Sequence, residues 1–340
     1  MLDSSFPTQF QTLFDSHPLN IEKTVSLFKD LLEGKLSEIH QAALLTLLAD
    51  REPDSSVLAS LARVVAARGE VFPGQEAPGA IDTCGTGGDY SGTFNISSAT
   101  ALVLAGCGVK VIKHGNRSAS GNSGSADVFQ ALGVKIDCTP EISATALREG
   151  NICFCFAPIY YPFLGNFAGL RKKLGFRTVF NFIGPLVNPG HVRFQLLGVS
   201  HPRYLEVYAQ AFQTLNKEGI IVSGETGGDE ILLDRKTGYC SIKGGVIEKG
   251  MWDCASFGLE RRPSHLIQAK DPLESAALIQ EVMQGKAGPA LDTVLANSAA
   301  GLLACGWVSN ILAGVVMARN AIQAGKAAQA LETLVKITKG

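Results

Sequence analysis

The sequence predicts an α/β protein in which a small all-helical part precedes a larger part with a mainly parallel central sheet flanked by helices. Three observations carry that prediction. Before residue 70 the apolar residues recur at helical spacing. From Ala80 onward, short β-branched runs alternate with helical stretches, which is the pattern of strands joined by helical crossovers. Two of these runs end in glycine- and hydroxyl-rich loops, and open α/β sheets bind ligands outside the carboxyl ends of their strands.

The elements follow in order. Leu27, Leu31 and Leu32 form an apolar stripe that stops at Gly34. Ile39, Ala43, Leu44, Leu47 and Leu48 continue at helical spacing after Ser37, the expected N-cap. Ser55 or Ser56 opens a third helix through Leu58, Leu61, Val65 and Ala66, ending near Gly69. Residues 73–79, which begin with proline and end with glycine, mark the boundary of the helical part. Strands are expected from Ala80 and at 109–112, 134–137, 152–156, 194–198 and 218–223. Residues 239–242 and the stretch after Gly244-Gly245 pair as a late hairpin. Helices return at 272–284, 291–303 and 311–325, and 162–187 is read as helical. No internal repeat or low-complexity tract is present.

The first glycine-rich loop reads Gly85-Thr86-Gly87-Gly88-Asp89 and follows the strand from Ala80. Its glycines let the backbone turn with positive φ and leave N–H groups uncovered, forming an anion-binding nest. Thr93, Asn95, Ser97 and Ser98 follow, and Asn95 or Ser97 caps the next helix, whose N-terminus favours an anion. Alone, such a cluster equally describes a surface turn before a capped helix. The second loop changes the balance. The strand at 109–112 runs into Lys113, His114, Gly115, Asn116, Arg117 and Ser118, with Ser120 and Ser125 beyond. A point charge, hydroxyls and backbone donors at the ends of neighbouring strands describe one crevice for a ligand with phosphates at two ends. A third loop, after the strand at 218–223, carries the adjacent acids Asp229 and Glu230. Magnesium takes a few carboxylates together with phosphate oxygens and water, so the pair suits a metal above a polyphosphate; a solvated turn is the plainer reading.

On these residues the chain resembles the anthranilate phosphoribosyltransferases of tryptophan biosynthesis, from about Leu27 to the C-terminus. The resemblance is densest in DTCGTGGDYSGTFNISSAT and KHGNRSASGNSGSADVFQALG, and again in LRKKLGFRTVFNFIGPLVNP. It implies a helical domain of residues 1–72 joined by about 162–187, and an α/β domain of 73–161 and 188–340. It also implies transfer of phosphoribosyl from phosphoribosyl pyrophosphate to anthranilate with magnesium as cofactor, commonly by a homodimer formed through the helical part. Donor contacts would fall on Gly85, Gly88, Asp89, Thr93, Asn95, Ile96, Ser97 and Ser98. The second loop would add Lys113, His114, Gly115, Asn116, Arg117, Ser118, Ala119, Ser120, Gly121 and Ser125. Asp229 and Glu230 would hold the metal, with Ser97 as a further ligand. Gly85 and Asn116 would also meet the acceptor, and Arg171 would pair with its carboxylate. No acid–base residue is implied, because the amine of anthranilate is already unprotonated at neutral pH and catalysis is electrostatic and positional.

One departure bears on the acceptor. Relatives usually read Ala-Pro-x-x-His-Pro before the arginine helix, and this chain has Tyr161 in the histidine's place, followed by Pro162, Phe163 and Leu164. The expectation is a bulkier, more apolar acceptor wall around Tyr161, with another aromatic amine as the alternative acceptor. A pyrimidine nucleoside phosphorylase would share the fold but not the KHGNR run together with the acidic pair. A non-catalytic nucleic-acid-binding relative should have lost the acids and gained a basic surface.

Composition agrees. A chain of 340 residues with 46% hydrophobic residues can bury a large core. Its formal net charge of −1, without a long basic run, argues against nucleic acid. No apolar run is long enough for a membrane span, and Met1 to Ser5 lack the pattern of a signal peptide, so the expected address is the cytoplasm. The eight scattered cysteines are then expected reduced and mostly buried.

Overall fold

The computed structural model describes residues 6–51, 54–70, 72–73, 77, 79–88, 91–118 and 123–340. Four helices come first: α1 (Phe6–Phe14), α2 (Ile21–Leu32), α3 (Glu38–Asp50) and α4 (Ser55–Ala66). Ser37 caps α3 as its sequence predicts, accepting from the His40 N–H at 3.2 Å. The cap of α4 is Asp54 rather than Ser55 or Ser56. Its Oδ1 accepts from Ser56 N and Val57 N at 2.8 and 3.0 Å, and a carboxylate suits the positive end of a helix. Leu27, Leu31, Leu44, Leu48, Leu58, Leu61 and Val65 are buried together, as their spacing implies. Ile39 departs from that stripe and stands 79% exposed.

The sheet then begins. β1 (Ile81–Gly85), α5 (Ile96–Gly106), β2 (Val111–Gly115), α6 (Ser125–Ala131), α7 (Pro140–Gly150) and β3 (Ile152–Phe156) run outward to one edge. Residues 157–187 leave the sheet as α8 (Ala157–Tyr160), a 3-10 turn (Pro162–Phe167), α9 (Ala168–Leu174) and α10 (Val179–Ile183). There α9 touches α3, and α10 touches α3 and α4. The chain returns as β4 (Phe194–Gly198), α11 (Leu205–Thr214), β5 (Glu218–Gly224), β6 (Thr237–Lys243) and β7 (Val246–Trp252). Helices α12 (Pro272–Met283), α13 (Pro289–Ala304), α14 (Ile311–Gln323) and α15 (Lys326–Lys339) complete it.

The strand order is β3-β2-β1-β4-β5-β6-β7, with β1 to β5 parallel and β6 and β7 antiparallel. Because β2 and β4 flank β1, the topology switches direction there, and such a switch point opens a crevice at the carboxyl ends of the strands. Helices α5 and α13, buried almost all round, pack on one another and on β1, β4 and β5, while α11 covers β5 and β6. The late hairpin forms as expected: Lys243 pairs with Val246, and Gly244 and Gly245 make the two-residue turn with φ of +56° and +79°.

The expected strand at 134–137 does not form. Val134 N donates to Phe129 O, closing α6, and Lys135 N donates to Thr338 Oγ1 in α15. With those donors engaged and Ile136 buried, the apolar alternation serves helix packing rather than a ladder.

Candidate active site

Three loops interlock at the switch point. After β1, Gly87 and Gly88 take φ of +62° and +71°, which only glycine adopts without strain, so the positive-φ turn of the proposed nest forms as its sequence implies. Asp229, in the loop after β5, reaches across, and its Oδ2 accepts from Gly87 N at 2.7 Å. The approach is close enough that a Cβ on Gly85 would lie 2.2 Å from Asp229 Oδ2, and one on Gly198 would lie 1.6 Å from Asp229 O. Thr86 N donates to Gly198 O and Ser200 N to Thr86 Oγ1, tying the β4 loop into the same knot. Glu230 turns to the start of α5, where its Oε1 accepts from Ser97 N at 3.2 Å.

The N-terminus of α5 carries its polar groups in an unexpected way. Asn95 holds the cap position but makes no side-chain cap bond. Its Oδ1 instead accepts from Ser123 Oγ and Ser275 Oγ at 2.9 and 2.8 Å, and its Nδ2 donates to Ser123 O. That stitches the first loop to the second and to α12. Thr93 bridges to Gln268 and shares a hydrogen bond with Ser91 Oγ. Ile96 and Ser98 are fully buried and do not line the cleft.

The second loop is organised from beneath. Lys113 is 1% exposed; its Nζ donates to Thr83 O at 2.5 Å and to Ser97 Oγ at 3.4 Å, so its charge underlies the first loop. Burial lowers its pKa, against Asp82 and Glu230, which favour the ammonium. His114 Nδ1 meets Asp82 Oδ2 at 2.6 Å and its Nε2 meets Gly184 O at 2.9 Å. Arg117 turns to α6, donating to Asp127 Oδ1 and Gln130 Oε1 at 2.8 Å each. Asp127 Oδ2 accepts from Ser118 N and Gly124 N, closing the loop. Gly115 has room for no side chain, since a Cβ would lie 1.9 Å from Ser125 Oγ. Asn116 Oδ1 accepts from Arg117 N at 2.8 Å. Asp89, Ala119, Ser120 and Gly121 lie outside the described residues.

These loops open on one cleft of about 500 Å³, which Tyr161, Leu164 and Arg171 also line. Tyr161 is 3% exposed, and its ring lies close enough to Gly69 that a Cβ there would be 2.3 Å from its Cε1. Burial pushes its phenol pKa well up, so the hydroxyl stays neutral. Phe163 stands behind it, edge-on at 6.3 Å, and is not part of the wall. Arg171 Nη2 donates to Asn181 Oδ1 at 3.3 Å and its guanidinium lies 5.6 Å from the Phe180 ring centre. Burial alone lowers its pKa.

Several organising residues were not singled out from the sequence. Arg177 lines the cleft and donates to Thr86 O and Ser200 Oγ at 2.9 and 3.0 Å. Asp82 and Asp127 hold the second loop. The usable signal was position: Arg177 sits in the LRKKLGFRTVFN stretch, and Asp82 and Asp127 bound the two-loop segment.

Two groupings could attract a cation. Ser97, Asp229 and Glu230 offer only oxygen donors beside a nest, which suits magnesium shared with phosphate. Asp82, Cys84 and His114 also converge, with ligand atoms within 4.8 Å of one another. There the chemistry does not fit a metal: Asp82 and His114 are already paired, and burial holds the Cys84 thiol far above its usual range.

Comparison with known proteins agrees with this geometry. Residues 77–328 match the glycosyl transferase family, a/b domain. The chain is 40% identical to the anthranilate phosphoribosyltransferase of Thermomicrobium roseum over 93% of this chain and 92% of that one. It is 38% identical to the enzyme of that name from Syntrophomonas wolfei over 98% of both. Among solved structures, anthranilate phosphoribosyltransferase from Thermus thermophilus superposes with a TM-score of 0.91 at 33% identity, over 98% of this chain and 99% of that one. The Saccharomyces cerevisiae enzyme, solved in complex with PRPP and Mg, gives 0.88 at 25% identity over 99% of both. With the nest, the acidic pair and the arginine at one switch point, the chain belongs to the anthranilate phosphoribosyltransferase family.

Proposed function

We propose that this chain transfers the phosphoribosyl group of phosphoribosyl pyrophosphate to anthranilate, giving N-(5-phosphoribosyl)anthranilate and diphosphate, a step toward tryptophan. One observation carries the reading: a single cleft gathers the two phosphate-type loops, the Asp229–Glu230 pair and Arg171. In the reaction the bond from ribose C1 to the diphosphate oxygen breaks with its electron pair leaving on diphosphate. The amine nitrogen bonds to C1 and gives up one proton to water or to the released diphosphate. The backbone N–H at Gly88 and the Ser97 hydroxyl orient the diphosphate, and Lys113 adds positive charge beneath Ser97. Ser97, Asp229 and Glu230 would hold magnesium, which when bound neutralises charge on the diphosphate. Arg171 fixes the acceptor carboxylate, and Tyr161 presents a neutral hydroxyl along the acceptor wall.

Residues 1–72 with 162–187 act as one body hinged on 73–161 and 188–340, and closing that hinge excludes water from the reactive donor. The protein works as a homodimer through its helical part, in the cytoplasm. No helix among the described residues is long and apolar enough to cross a membrane.

Loss of anthranilate fluorescence with donor and magnesium, run beside substituted aminobenzoates, tests the reading. Preferred turnover of anthranilate is expected. Turnover of another aminobenzoate alone, with donor binding intact, would move the acceptor assignment to that amine and make Tyr161 its cause.

A further inference from the structure

Arg177 enters the cleft from the link between α9 and α10, yet both of its hydrogen-bond acceptors lie in loops at the carboxyl ends of the strands. Its Nη2 donates to Thr86 O and its Nη1 to Ser200 Oγ, joining the loops after β1 and β4. Its side chain also underlies Gly88, where a Cβ would lie 3.0 Å from Nη1 and 3.2 Å from Cδ. Among the described residues no carboxylate pairs with this guanidinium. Its partners are a carbonyl, a hydroxyl and the Phe182 ring, whose centre lies 5.2 Å from Cζ, and its Nε is buried without an acceptor. A half-buried cation without a counter-charge is costly to the ligand-free fold, and the cost is recovered when an anion arrives nearby.

We propose that Arg177 is a positioning residue for the donor's diphosphate. It clamps the nest at Thr86 to Gly88 in its binding shape and holds a positive charge, not ion-paired among the described residues, beside it. Its buried Nε is closed to ligand, so the residue acts through the loop it shapes and through its field. The arrangement also ties the 162–187 segment, which carries Arg171 for the acceptor, to the loop that receives the donor. This inference rests on the phosphoribosyl-transfer reading.

The test is calorimetric titration of inorganic diphosphate with magnesium, and of phosphoribosyl pyrophosphate, into wild-type protein and the variants Arg177→Gln, Arg177→Lys and Ser200→Ala. Acceptor KM and unfolding midpoints are measured alongside. Arg177→Gln is expected to weaken both anions about tenfold or more while acceptor KM stays within about twofold. Arg177→Lys, which keeps the charge and loses the fork, should recover part of that loss. Ser200→Ala, which keeps charge and the Thr86 bond, should change binding less than about threefold. Unchanged anion binding in Arg177→Gln, or equal losses for donor and acceptor, would overturn the proposal. Should the glutamine variant not fold, Arg177→Lys decides: weaker donor binding with unchanged acceptor KM supports the clamp, and a lowered midpoint with unaltered donor binding refutes it. Failure of the wild-type protein to bind diphosphate at all would instead sink the functional reading beneath it.

Discussion

Asp229 and Glu230 are adjacent, yet they serve different loops: Asp229 accepts from Gly87 in the nest, and Glu230 accepts from Ser97 at the start of α5. Each carboxylate thus keeps one oxygen on a backbone N–H while contributing charge to the cleft. Replacing both by their amides, Asp229→Asn with Glu230→Gln, keeps the shape and removes the charge. Turnover at saturating magnesium should fall by at least about a hundredfold, the scale of losing an electrostatic stabiliser, with an unfolding curve close to wild type. A rate that persists at limiting magnesium would remove the pair from the metal site. At this scale the sequence was informative where a glycine or an acid has a single purpose. It was silent on the Asn95 carboxamide, because a cap residue and a loop stitch are spelled with the same amide. Arg177 was equally silent: no local pattern distinguishes an arginine that clamps two distant loops from one that snorkels.

Among the elements, the loop after β2 depends on α6 for its shape. Asp127 in that helix's first turn accepts from Ser118 N and Gly124 N and pairs with Arg117. Burial works against its charge, but these bonds outweigh it and hold its pKa below the usual carboxylate value. A group depressed in the folded state stabilises fully above its unfolded pKa, and that contribution fades as pH drops through the folded value. Asp127→Asn should therefore be less stable than wild type at neutral pH, with the gap closing below about pH 4 in denaturation series. A gap that does not narrow as pH falls below about 4 would assign the loss to shape rather than charge. Elements were legible where pattern and partner agree, as in the hairpin turned by Gly244-Gly245. Residues 134–137 carry a strand's alternation but meet α15 instead of a sheet edge, and a partner 203 residues away leaves no local mark.

For the molecule as a whole, the topology follows from alternation, but assembly does not. Ile39 on α3 is 79% exposed, Phe14 at the end of α1 is 52% exposed and Phe176 between α9 and α10 is 45% exposed. Such side chains on the helical part fit the proposed dimer. Light scattering should give twice the 35.9 kDa chain mass, and Ile39→Glu should shift the population toward the single chain. An unshifted mass in that variant would place any dimer contact elsewhere.

The ring of Tyr161 resting on Gly69 joins two positions 92 apart in the chain into one inherited unit. While a tyrosine occupies residue 161, residue 69 cannot acquire a side chain without displacing the phenol ring. A histidine grafted at 161 from a relative would leave a gap over Gly69 that packing must collapse to fill. Drift at either site is therefore conditional on the other, and transplanting an acceptor channel into this protein means exchanging both residues in the same step.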